Sequence, residues 1–146
     1  MVQVTERLKV QDELEVIRAE AGGILRAEDA VEWAAAHPES RLHSQLEWDD
    51  TKASHQYRIW QMRRIIDITV VLLPNQSEPV HAYVSLYSDR RNPRGGYRPL
   101  IEVLSDKTLR AQLLKQARRD LSLWREKYKE LEELAMVFKA ADQLEV

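Results

Sequence analysis

The chain has 146 residues, 44% of them hydrophobic, with four Trp, five Tyr, no Cys and a formal net charge of −2. That length allows one hydrophobic core with a helical extension, and the absence of cysteine excludes disulfides, thiolate zinc sites and thiol nucleophiles together. The near-neutral total conceals sorted charge: residues 1–50 carry 5 Lys/Arg against 12 Asp/Glu, residues 51–100 carry 8 against 3, and residues 101–146 carry 9 against 9.

The opening residues, Met1 to Arg7, lack the apolar core of a signal peptide, and no stretch approaches the 18 apolar residues of a membrane span. A cytoplasmic protein without a membrane partner is expected. Leu8, Leu14, Ile17 and Ala21 recur at helical spacing and predict a first helix over Thr5–Ala21, ended by Gly22-Gly23. A second is predicted over Arg26–Ala36 and stopped by His37-Pro38, because Pro disfavours helical geometry in the residue before it. Leu42–Trp48 reads as one helical turn or an extended link. Asp49 or Asp50 then caps a basic amphipathic helix to about Ile66, with Tyr57, Trp60 and Arg64 on one row, Ile59, Met62, Ile65 and Ile66 broadening the apolar stripe, and Lys52, His55, Arg58 and Arg63 mostly on other faces. Three helices ending in a basic one have the organisation of a helix-turn-helix unit, and equally of any three-helix core.

After Asp67 the period changes to two. Ile68–Leu73 and Val80–Tyr87 flank the turn-forming run Pro74–Pro79 and predict a β-hairpin, while Tyr97–Val103 reads as a third strand that Pro99 would confine to an edge or demote to a loop. Between them the basic loop Arg90–Arg98, with Gly95-Gly96, reads as a flexible arm for phosphates. Ser105-Asp106 begins the last element. Its apolar residues Leu114, Ala117, Leu121, Trp124, Tyr128, Leu131, Ala135 and Phe138 alternate by 3 and 4 as in a heptad seam. A continuous helix to Leu144 would reach roughly 60 Å, so it must break, project or find a partner. The fold class is therefore α+β, mainly helical: residues 1–104 as a helix-turn-helix-like unit with a β-hairpin, and 105–146 as a long helix or helical hairpin, in one compact domain.

The run Leu42–Asp50 leading into the Tyr57–Ile66 helix, the Ala82–Leu86 strand with its Tyr97-Arg98 partner, and the Leu104-Ser105-Asp106 entry to a Leu/Trp/Tyr helix resemble small phage- and prophage-encoded proteins that are uncharacterised. The resemblance implies a mobile-element setting and no activity.

No Gly-x-Ser-x-Gly elbow, phosphate-cradling loop or His-Glu-x-x-His pair occurs, so no enzyme is expected. His37, His43, His55 and His81 lack the spacing of metal ligands, and neither metal nor cofactor is expected. Trp33, Trp48, Trp60 and Trp124 read as core, leaving Tyr87 and Tyr97 as the aromatics suited to bases or phosphates. Two functions are compatible with the charge pattern. In the first, the chain is a DNA-binding protein contacting a groove with Lys52, His55, Arg58 and Arg63 and phosphates with Arg90, Arg91, Arg94 and Arg98, as a homodimer held by Leu114, Leu121, Trp124, Tyr128, Leu131 and Phe138. In the second, it engages a host protein through its acidic first third or its last helix.

Overall fold

Val10, Leu14 and Ile17, spaced so that one helical face carries all three, are buried along α1, Val2–Glu20. The computed structural model that shows this describes residues 2–50 and 54–144. Gly22 and Gly23 end α1 with positive φ, and the Gly23 N–H closes on the Arg18 carbonyl at 2.9 Å, a conformation glycine adopts without a Cβ penalty. α2 occupies Ala27–Ala36, stopping at the residue before His37-Pro38. Its buried residues, Ala27, Ala30, Val31 and Ala34, are small, which lets α4 pack closely against it. α3 is the single turn Arg41–Ser44. Ser40 Oγ caps it at His43 N, and the Glu13 carboxylate on α1 accepts the Arg41 and Leu42 amides at 3.0 and 2.9 Å, fixing buried Leu42 in the core.

α4 covers His55–Ile68 and is capped by Ser54, whose Oγ accepts from Tyr57 N, so the expected Asp49 or Asp50 cap is not the one used. The reason is local. Glu47 N donates to Gln61 Oε1, Trp48 Nε1 donates to the His43 carbonyl, and Asp50 pairs with Arg58, which commits this segment elsewhere. Ile59, Met62, Ile65 and Ile66 form the buried face of α4.

The sheets are short. β1 (Val70–Val71) pairs antiparallel with β2 (Val80–His81), realising the expected hairpin, and β3 (Tyr83–Val84) pairs antiparallel with β4 (Arg98–Pro99). Leu25 and Tyr97 form an additional bridge, exchanging backbone hydrogen bonds of 3.0 and 2.8 Å. The third strand ends at Pro99, which has no N–H for the ladder, and the chain turns directly into α5, Leu100–Ser105.

The chain divides into two compact units, one up to Glu102 and one from Val103. In the second, Asp106 caps α6 (Lys107–Tyr128) by accepting from Leu109 N at 2.9 Å. The helix does not continue to Leu144. It breaks after Tyr128, and α7 (Ala135–Asp142) folds back to set Phe138 against Trp124, ring centroids 5.8 Å apart, with Arg125 paired to Asp142. Glu130, Glu132 and Glu133 follow the C-terminal end of α6, where the helix dipole disfavours negative charge. No helix among the described residues is long and apolar enough to cross a membrane.

Candidate nucleic-acid interface

The eight basic residues expected at an interface meet different fates. Lys52 lies outside the described residues. His55 is exposed at the start of α4. Arg58 is withdrawn: its Nε donates to the Glu47 carbonyl at 2.9 Å, its guanidinium lies 5.1 Å from the Trp48 ring centroid, and it pairs with Asp50. Arg98 is likewise structural, with Nε and Nη2 on the Asp89 carboxylate at 2.8 and 3.0 Å in a largely covered pair. That pair closes the basic loop on itself.

The loop is therefore not the free arm its glycines suggested. Asn92 Oδ1 accepts the Arg94 amide and its carbonyl accepts the Gly95 amide, Arg94 pairs with Asp29 on α2, and Gly96 is so closely packed that a Cβ there would sit 2.6 Å from Ile24 Cγ2. Arg90 donates to Ser85 Oγ and O while its guanidinium lies 5.0 Å from the Tyr87 ring centroid, and Arg91 is exposed.

This tethering creates a concavity. Arg63 from α4 and Arg90 and Arg94 from the loop line a cleft of about 450 Å³ together with Asp67, Ser85, Asn92, Gly95, Gly96 and Tyr97. No protein-family model, curated protein or solved structure matches this chain. The charges of the cleft are partly balanced from behind, since Glu28 approaches Arg63 at 3.8 Å and Asp29 pairs with Arg94. Both arginine side chains nonetheless remain half exposed, and solvent screening weakens ion pairs of such exposure, so an incoming anion can exchange for the carboxylate. Glu28 Oε2 is buried without a hydrogen-bond partner among the described residues. Burial raises the Tyr97 phenol above its ordinary pKa, with Asp67 adding to the rise and Arg63 and Arg90 opposing it. Partial desolvation also raises the Asp67 carboxyl, although the residue as a whole is exposed, against the pull of His81 and Arg90. The cleft can thus offer three guanidinium groups, a hydroxyl and an amide to an anion, with one carboxylate that is easier to protonate than usual.

On the exposed side of α4, which also carries Arg63, Trp60 departs from the expectation that it is core. Tyr57 and Trp60 are 44% and 53% exposed, with rings stacked at 5.7 Å and 18°, and the Arg64 guanidinium lies 5.9 Å from the Trp60 ring centroid. Their row competes with the aliphatic stripe Ile59, Met62, Ile65 and Ile66, and only one can face α2. The other tryptophans differ among themselves: Trp33 and Trp48 pack partly buried against the core, whereas Trp124 is 37% exposed.

In the second unit the expected oligomerisation residues separate. Phe138 is buried and Trp124 and Tyr128 contact one another, with Trp124 also meeting Phe138, while Leu114 and Leu131 are exposed and Leu121 is half-buried. Leu123, Met136 and Val137 add further exposed apolar surface. No group of three or more His, Asp or Glu side chains suited to a metal occurs among the described residues.

Proposed function

We propose that the protein is a non-enzymatic DNA-binding factor acting in the cytoplasm, in the phage or mobile-element setting that the resemblance implies. The observation carrying this reading is the convergence of Arg63, Arg90 and Arg94, two sequence segments, on one cleft that also presents Ser85, Asn92 and Tyr97. Guanidinium groups bind phosphate in a planar fork, and hydroxyl and amide groups supply the remaining hydrogen bonds to the backbone.

The test is an anisotropy titration with labelled DNA across a salt series. Three phosphate contacts give a slope of log affinity against log salt of about −2 to −3, and replacing each of Arg63, Arg90 and Arg94 by Gln makes it shallower by a little under one. Absence of binding at about 50 mM salt, or a triple variant that binds like the parent, overturns the reading.

A second reading, self-association, is favoured by the second unit. Leu114, Leu123, Leu131, Met136 and Val137 are all exposed there, more apolar surface than a 44-residue hairpin sustains without a partner. Residues 107–128 carry 7 Lys/Arg against 2 Asp/Glu and residues 129–146 carry 2 against 5, so two antiparallel copies would set opposite charges face to face. Sedimentation equilibrium of Leu114→Lys combined with Leu123→Lys separates the cases: a dimer becomes a monomer, and a parent that is already monomeric at about 100 μM removes the proposal.

A further inference from the structure

We infer that the nucleic acid taken by this surface is single-stranded, with unpaired bases stacking on Tyr57 and Trp60 while the adjoining phosphates cross Arg63 into the cleft. The inference rests on the nucleic-acid reading above and narrows it. Residues 57, 60 and 64 follow one line along α4, and residues 63 and 67 lie on the neighbouring line at the cleft edge, so the aromatic pair and the cationic concavity share one exposed face. The two rings are nearly parallel and half uncovered, and Arg64 is held against Trp60. A half-exposed planar ring is of use to a base only if that base has a free face. In a duplex every base is stacked on its neighbours, whereas in a single strand each one can leave the stack and settle on an aromatic side chain.

The remaining features of α4 argue against a duplex groove. A groove-reading helix extends Arg, Asn or Gln to base edges. Here Arg58, the guanidinium at the leading end of α4, is folded back on Trp48, Glu47 and Asp50, and the exposed row presents Tyr57 and Trp60 with Arg64 held against the Trp60 ring. A concave site lined by three arginines also suits one flexible backbone better than the rigid convex surface of a double helix. Exposed Tyr, Trp and Arg are equally the residues that dominate protein interfaces, but here Arg64 lies against the Trp60 ring and Arg63, Arg90 and Arg94 line the cleft, where Asp67 is the one lining carboxylate among the described residues, and that balance suits a polyanion.

The full chain is titrated by anisotropy with labelled oligo(dT) of about 20 nucleotides and with a duplex of equal length, at about 50 and 200 mM salt. The single strand is expected to bind at least ten-fold more tightly. Trp60→Ala and, separately, Tyr57→Ala are expected to weaken oligo(dT) binding five-fold or more, the range reported by stacking losses, and to leave duplex binding unchanged; both side chains are half exposed, and circular dichroism verifies that each variant is folded. A duplex that binds as tightly as the single strand, or aromatic variants that bind oligo(dT) like the parent, overturns the inference while the DNA-binding reading stands. No binding of either nucleic acid at 50 mM overturns both and points the aromatic face toward a protein.

Discussion

Replacing Glu28 by Gln isolates the competition between the chain's own carboxylates and an external anion. Glu28 lies in the first turn of α2, is mostly buried, approaches Arg63 at 3.8 Å and leaves Oε2 without a hydrogen-bond partner among the described residues. The isosteric amide keeps the packing and removes the charge that a phosphate must displace. An ion pair with one half-exposed member contributes about 0.2–1 kcal/mol, so its loss raises DNA affinity about 1.4- to 5-fold at low salt, with RT near 0.59 kcal/mol. Stability should change little. A negative charge at the start of a helix contributes about 0.3–1 kcal/mol, and the lower cost of burying a neutral amide than a carboxylate acts in the opposite direction. The assay is the same anisotropy titration run as a double-mutant cycle with Arg63→Ala, which removes the cation the carboxylate holds. The gain from Glu28→Gln should vanish on that background. A lower affinity in Glu28→Gln, or a gain that persists without Arg63, would refute the competition.

Asp67 provides a pH signature. Because partial desolvation raises its pKa above the ordinary 3.8, the carboxylate takes up a proton as pH falls through that raised value, the cleft becomes more positive and anion affinity rises; above it, the charge is present and affinity is lower. Asp67→Asn should bind more tightly at pH 7 and lose this component of the pH profile, as titrations between pH 4 and 8 would show. Gly96→Ala forces a Cβ to within 2.6 Å of Ile24 Cγ2, and such overpacking costs about 1–3 kcal/mol, measured as a lower urea midpoint with unchanged slope; an unaltered midpoint would mean that the loop yields freely. Phe138→Ala removes the buried ring that holds α7 to Trp124, so amide exchange across residues 135–142 should accelerate while α1 and α4 keep their protection.

What could be read from the residues follows a physical division. Periodicity located α1, α2, α4 and α6 because a helix that must bury one face repeats its apolar residues, and His37-Pro38 and Asp106 marked ends through chemistry confined to a few neighbouring residues. The β-branched run from Ile68 located β1 for the same reason. Three features had no local signal. The row of Tyr57 and Trp60 and the row of four aliphatics beside it are both apolar in the sequence, and the aliphatics take the face toward α2. The break after Tyr128 occurs without Pro or Gly and reflects the folding back of Phe138. The tethering of the basic loop depends on Arg94 meeting Asp29, 65 positions earlier, and on Arg98 meeting Asp89. Charge counts do not separate Arg63 and Arg94, whose paired side chains stay half exposed at the cleft, from Arg58 and Arg98, which their partners largely cover.

The bridge between Leu25 and Tyr97 joins the start of the polypeptide to its arginine-rich stretch, with consequences for anyone dissecting the molecule. A synthetic peptide spanning 88–99 would carry every loop guanidinium and yet lack the scaffold that orients them, because half of that scaffold is contributed by Ile24, Leu25 and Asp29. Lesions in the tight junction at Gly22-Gly23 would accordingly register as binding defects some seventy positions downstream.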